Sequence, residues 1–403
     1  MLVPKLRFPE FTEEYTPDAL VDITDRVRRK NSENQTDIPL TIASIEGLVD
    51  QRTYFGKTIA SKDMSGYYLL KNGEFAYNKS YSKGYPVGSI KRLDNYEQGA
   101  LSTLYICFSV KEDADVTSDY LVQYFNSPVW HKTMSEICAE GARNHGLLNV
   151  SPDDFFATVH YFAPTEAEQE KISEFLSLYD EKISVQKKKV EALEARKKGL
   201  LQKIFSQEIR FKADDGSEFD DWDEVTLGEL IEPFTIKTKE ENEDILLSCA
   251  IDGMFLNTEL FDHQRGASNI GYLKVKKGTL ILSAQNLHLG NANVNLRFEH
   301  GIISPAYKTY NVVGCLPEFM AIWVKREAAK RFFFDATTTG ASQCRRNVDW
   351  DKLYSQTLLL PSEPEQMKIY DFIKLIDEQI QAEKDKLEAL KNVKKGLLQQ
   401  MFG

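Results

Sequence analysis

Two long stretches of the chain place apolar residues at alternating spacings of four and three. The first runs Ile172, Leu176, Tyr179, Ile183, Gln186, Val190, Leu193, Lys197, Leu200, Ile204. The second runs Ile369, Ile373, Ile376, Ile380, Glu383, Leu387, Leu390, Lys394, Leu397, Met401. This is a heptad seam, and each stretch is predicted to be an α-helix of about five heptads. The same two seam positions are polar in both, Gln186/Lys197 and Glu383/Lys394, a pattern that costs stability but can fix register and partner choice. Thr165 with Glu168, and Ser362 with Glu365, read as capping boxes just after Pro164 and Pro361. At ~1.5 Å per residue each helix is about 57 Å long. A small domain cannot cover such a seam, so each helix needs another long helix. The two are natural mates, and antiparallel pairing relates the halves by a pseudo-twofold axis. The other reading is two independent coiled coils that bind other chains.

The two stretches are copies. Glu168 to Phe205 and Glu365 to Phe402 align without gaps at an offset of 197, with 21 of 38 positions identical. A repeat at half the chain length predicts two similar halves in tandem. The segments before each helix match more weakly. Arg7-Phe8 and Arg210-Phe211 open each half, and Tyr68 to Asn78 and Tyr272 to Ser283 both read as strand, glycine turn, strand. Asp119–Val129 and Pro317–Phe334 read as amphipathic helices. A polar glycine loop follows each, Gly141–Gly146 and Gly340–Arg346. The expected architecture is mixed α/β: a first globular domain over 1–163, a helix over 164–205, a second globular domain over 206–360 and a second helix over 361–403.

Length and composition allow this. The 403 residues can bury more than one core, and 42% hydrophobic with 28% charged residues is ordinary for globular protein. No apolar run approaches the ~18 residues of a membrane span, and the amino terminus lacks a secretory pattern. Five scattered cysteines without a CxxC pair fit reduced thiols and a cytoplasmic protein better than disulfides or zinc. The net charge of −11 argues against nucleic acid until its distribution is considered. Residues 51–93 hold eight Lys/Arg against two acids, and residues 263–316 hold six against one. Locally basic surface can bind a polyanion on an acidic protein.

The order of globular domain, proline and an EQ-initiated heptad helix ending KKGLLQ, all of it repeated, resembles the specificity subunit of type I restriction–modification systems. The resemblance spans the chain, and the doubled EQ…KKGLLQ…F helix is its specific part. It implies that each globular half is a target-recognition domain for one half of a bipartite double-stranded DNA sequence. It also implies that the helices over Glu168–Phe205 and Glu365–Phe402 form an antiparallel spacer carrying two methyltransferase subunits, with restriction/translocase subunits joining in the full complex. Base-contacting positions vary within that family, so the resemblance assigns none here.

Residue chemistry nominates them instead. DNA readout needs Lys/Arg for phosphates, and Asn, Gln, Arg or hydroxyl side chains on loops that reach base edges. In the first half the loop Asn78–Tyr85 offers Asn78, Lys79, Tyr81, Lys83 and Tyr85, with Lys91 beyond it. The glycine loop adds Arg143, Asn144 and His145. In the second half the equivalent loop, Ser283–Asn291, offers Gln285, Asn286, His288 and Asn291, and the later glycine loop offers Gln343, Arg345 and Arg346. Enzymatic readings find no support. There is no Asn/Asp-Pro-Pro-Tyr methylation box and no GxGxxG loop, and Gly73–Ser80 lacks the second glycine of a P-loop. No metal or cofactor is expected, and the chain reads as non-catalytic. The reading from a different class is a coiled-coil scaffold whose two halves bind protein.

Overall fold

The computed structural model describes residues 3–403 apart from 44–45, 58–59, 83, 141–147, 262–267 and 343–344. For residues 139–140, 339–342 and 345 it describes the backbone alone. Both long helices are present, Glu166–Phe205 and Glu363–Phe402, forty residues each. The structure divides into two compact units, residues 1–189 with 383–403, and residues 190–382. Each long helix therefore gives one end to each unit.

In the first unit a four-stranded antiparallel sheet has the order 24–26, 106–110, 75–78, 89–92. Around it lie antiparallel pairs joining 16–19 to 159–162, 40–43 to 47–50, 68–71 to 98–101, and 139–140 to 148–149. The second unit repeats this set strand for strand. Its four-stranded sheet runs 231–233, 307–312, 279–283, 292–294. Its pairs join 223–226 to 357–360, 247–250 to 253–256, 273–276 to 300–303, and 337–342 to 345–348. The duplication seen in the helices thus extends through both globular halves. The expected strand–glycine–strand elements turn at Gly73 (φ +83°) and Gly278 (φ +84°), backbone that only glycine adopts freely. They are not hairpins, because the two strands of each element enter different sheets.

Three expectations are corrected. Pro317–Phe334 is two helices, Pro317–Trp323 and Glu327–Asp335, separated where Arg326 turns extended (ψ 151°). The described residues of the segment Gly340–Arg346 are not a free loop: they belong to the paired strands Thr337–Ser342 and Arg345–Val348. The first-half helix is shorter than expected, Ser118–Asn126, and a second helix, Trp130–Ile137, follows.

The helix starts show why Glu-Gln recurs. Glu168 does not close a capping box. Thr165 Oγ1 accepts from the Glu168 amide at 3.4 Å, but the Glu168 carboxylate is taken by a two-pronged bond from Arg7, 2.7 Å on each arm. In the second unit Arg210 Nε and Nη2 donate to Glu365 at 3.2 and 2.8 Å, Trp222 Nε1 adds a third bond, and the Ser362 hydroxyl has no partner among the described residues. Both carboxylates are fully buried. The following glutamine ties its helix to the same unit. Gln169 donates to the Asp115 and Ala163 carbonyls and accepts from the Thr117 amide, and Gln366 donates to the Pro361 carbonyl and accepts from the Leu316 amide. The arms pack alike, Phe8 on Phe175 and Phe211 on Phe372.

Each core also takes in a helix end from the other copy. In the first unit Leu398, Met401 and Phe402 join Ile172, Leu176 and the aromatic cluster of Phe75, Tyr77, Phe108, Phe125 and Trp130. In the second unit Ile204 joins Ile369, Ile373, Phe319, Trp323 and Phe333. The helices run antiparallel. In the first unit Asp180 meets Lys394 at 2.5 Å and Gln186 meets Glu383 at 2.7 Å, so numbers rise on one helix as they fall on the other. Gln186 and Glu383 are equivalent positions of the repeat and face each other. In the second unit Lys197 meets Asp377 at 2.5 Å, the counterpart of the Asp180–Lys394 pair. All four polar seam residues are thereby partnered.

A buried ion pair is costly to break from one side, on the order of 3–5 kcal/mol, because the partner is left charged and unpaired. Glu365→Gln and Glu168→Gln are each expected to lower thermal stability by ~3 kcal/mol, about 6–12 °C for units of this size. Replacing both members of a pair, as Arg210→Met with Glu365→Leu, is expected to recover most of that loss. Calorimetry of the three variants checks this, and a Glu365→Gln variant as stable as the parent contradicts it.

Candidate nucleic-acid interface

In the first unit the candidate loop leaves the sheet at Asn78, whose side chain accepts from the Ser80 amide at 3.1 Å and starts the turn. Ser82 and Tyr85 close it with a reciprocal backbone bridge. Gly88 seats its return at φ +83°, where a Cβ would lie 2.0 Å from the Asn78 carbonyl oxygen. Tyr81 projects at 60% exposure. The Lys79 carbonyl accepts from the Leu148 amide at 2.8 Å, and its ammonium donates to the Val150 carbonyl at 3.3 Å. This draws the strand that follows the first glycine loop against the candidate loop. Arg143, Asn144 and His145 of that glycine loop, and Lys83, lie outside the described residues.

Lys91 stands apart from this loop. It sits opposite Ala76 in the sheet and donates to Asn126 Oδ1 at 2.6 Å. It lines a cavity of about 360 Å³ with Tyr85, Arg92, Asp180 and Lys394. Burial first, and the nearby Lys394 ammonium second, push its pKa down to about 8. Tyr85 is half-buried in the same wall, and burial raises its pKa. Lys91 is thus half-buried in a cavity wall, with its ammonium already bonded within the protein.

In the second unit Gln285 and Asn286 are exposed, and neither side chain makes a hydrogen bond among the described residues. They precede a single 3-10 turn, Leu287–Leu289, held by the Asn286 carbonyl, which accepts from the Leu289 and Asn291 amides. Asn291 is buried beneath the turn, where Oδ1 accepts from the Cys249 thiol at 3.3 Å; its role is to support the loop. His288 is partly exposed, and burial together with Arg346 lowers its pKa. Arg346 is held in place, with Nε donating to Thr337 Oγ1 at 2.6 Å and its guanidinium 4.0 Å from the Phe334 ring centre. The structure therefore brings His288 and Arg346, 58 residues apart, to one site. The backbone of Arg345 pairs with Ser342, and Gln343 lies outside the described residues.

Local charge counts overstate the free positive surface. Arg52 pairs with Asp50 and Asp37, and Arg92 pairs with Asp94 and Asp119. In the second unit Lys274, Lys277 and Arg297 pair with Glu243, Glu299 and Glu259, while Lys276 and Lys308 lie over the rings of Phe234 and Trp350. All of these acids but Glu299 lie outside the counted windows, so a linear count misses them. Among the described residues Lys57, Lys62, Lys71 and Lys79 make no ion pair. Sequence reasoning also missed Ser248, Asn257, Tyr272 and Tyr307, which line a cavity with Gln285 and Asn286. They come from three separated stretches, and no spacing links them in the sequence.

Among the described residues no helix is long and apolar enough to cross a membrane, and no group of three His, Cys, Asp or Glu could hold a metal ion. No protein-family model matches the chain. Solved structures do. The fold is that of the specificity subunit of a type I restriction–modification system. One similar chain belongs to a structure of complex assembly and conformational transition in the type I R-M system, with TM-score 0.57, 14% identity and 98% of each chain covered. Another is the type I restriction–modification S subunit from M. genitalium, with TM-score 0.52, 13% identity and coverage of 100% of this chain and 99% of that one. At such identity the likeness is one of fold.

Stability separates supporting residues from presenting ones. Asn291→Ala is expected to cost ~1–3 kcal/mol, because it strips a buried polar site of its partner. Gln285→Ala and Asn286→Ala are expected to stay within ~0.5 kcal/mol of the parent. Urea midpoints of the three variants check this.

Proposed function

We propose that the chain is a non-catalytic specificity subunit that binds a bipartite double-stranded DNA target and recruits methyltransferase and restriction/translocase subunits. The observation that carries this reading is the strand-for-strand duplication of a mixed α/β domain, each copy followed by a 40-residue helix, in a fold shared over the whole length with S subunits. Residues 1–163 and 206–360 are the target-recognition domains. Base and phosphate contacts fall to Asn78, Lys79 and Tyr81 in the first, and to Gln285, Asn286, His288 and Arg346 in the second. Lys83, Arg143, Asn144, His145, Gln343 and Arg345 complete the two reading surfaces. Tyr85, Lys91 and Asn291 support them from within.

The helices of 164–205 and 361–403 are the docking surface for two methyltransferase subunits. Leu178 and Leu375, equivalent positions of the repeat, are 54% and 65% exposed. Two equivalent exposed positions, one on each helix, suit two copies of one partner.

The test is selection from long random duplexes by the full-length chain with its methyltransferase partner. Enrichment of a two-part sequence with a fixed gap is expected, and no preference among duplexes overturns the proposal. On the selected duplex, Lys79→Ala is expected to weaken binding several-fold and to flatten the log affinity–log salt slope by about 0.9, as one phosphate contact would. Lys91→Ala is expected to leave that slope unchanged. Anisotropy titrations over a salt series distinguish the two.

A further inference from the structure

The second unit holds a cavity of about 280 Å³ beside the candidate reading loop. The side chains that decide its chemistry are Gln285, Asn286, Ser248, Phe261, Tyr272 and Tyr307. Among the described residues no Lys, Arg, Asp or Glu lines it, which suits a neutral ligand group better than a phosphate or a metal ion. It falls just below the ~300–1,000 Å³ of sites for drug-sized ligands, which suits a small flat molecule. Aromatic side chains give its walls faces for stacking. The Gln285 and Asn286 carboxamides stand at it with no hydrogen bond among the described residues, each offering one donor beside one acceptor. Such a pair matches the donor–acceptor edge of a nucleobase, adenine above all.

The shape adds a second argument. Base edges in an intact duplex lie recessed in a groove, and a convex element must reach in to read them. A concave site with ring-bearing walls fits a base that has left the stack, read by hydrogen bonds to its edge and by stacking on rings. We propose that this cavity receives one unstacked nucleobase of the bound DNA, with Gln285 and Asn286 pairing to its edge and the tyrosines packing its faces. The inference rests on the DNA-binding reading above and goes beyond it. It makes the second unit a site of local duplex distortion, not only a reader of groove edges.

The probe is a duplex carrying the selected sequence, with 2-aminopurine replacing each adenine in turn and mixed with the full-length chain. One position is expected to brighten several-fold on binding. The Gln285→Ala/Asn286→Ala double variant, altered only at exposed unbonded side chains, is expected to cut that rise at least threefold. Tight binding with no bright position, or brightening unchanged in the double variant, overturns the pocket and leaves DNA recognition standing. Failure to bind the selected duplex overturns the reading beneath it.

Discussion

Everything in this structure depends on covering two amphipathic helices that cannot cover themselves. A 40-residue helix with a single apolar seam exposes too much apolar surface to stand alone, since helical stability in proteins comes mostly from packing one face. Here each seam is closed by the other copy, running antiparallel. The polar positions within it meet defined partners: Gln186 with Glu383, Asp180 with Lys394, Lys197 with Asp377. A one-heptad slip leaves these groups half-buried without partners, which penalises every register but one. Glu383, bonded by Gln186, Lys189 and Lys386, has its pKa lowered to about 2 and stays charged at the heart of the seam.

From that constraint follows the way each domain is held. The Glu-Gln at a helix start fixes it to its own unit through a buried carboxylate paired with an arginine and through two or three glutamine bonds, and the phenylalanine at the far end of the other helix fills the same core. In the first unit Phe402 packs on Tyr120 and Tyr124; in the second Phe205 packs on Trp222 and Phe319. The residues identical in the two copies include those that attach helix to domain, the Glu-Gln and the final phenylalanine, and those that pair the helices, such as Asp180/Asp377 and Lys197/Lys394. The candidate loops share no such need, and there the halves differ. Where the first half has a lysine- and tyrosine-bearing loop, the second has Gln285, Asn286 and a 3-10 turn.

Much of this was legible in the sequence because its cause is local and periodic. The helices, their extents and their polar interruptions follow from spacing alone, while their pairing with one another was one of two readings the spacing allowed. The pairing of Arg7-Phe8 and Arg210-Phe211 with the helix starts was visible only as a repeated dipeptide. Its meaning needed the third dimension, and the capping boxes inferred for Glu168 and Glu365 gave way because a two-pronged guanidinium outbids a backbone amide for the buried carboxylate. The reading surface was least legible. Lys91 and Asn291 carry residue types that suit DNA, yet Asn291 is buried, Lys91 is half-buried, and each is bonded within the protein. The basic stretches lose much of their charge to acids that are remote in sequence, such as Glu259 for Arg297 and Asp119 for Arg92. The cavity beside Gln285 is assembled from segments that share no pattern.

The central claim is the antiparallel register of the helix pair, and charge exchange across one contact tests it most directly. Asp180→Lys and Lys394→Asp, made singly, each place like charges together in the seam and are expected to lower the melting temperature by several degrees. Combined, they restore opposite charges and are expected to recover most of the loss, the signature of direct coupling. Lys197→Asp combined with Asp180→Lys is expected to recover nothing. Failure of the Asp180–Lys394 exchange to recover stability, or recovery through Lys197 instead, contradicts the account.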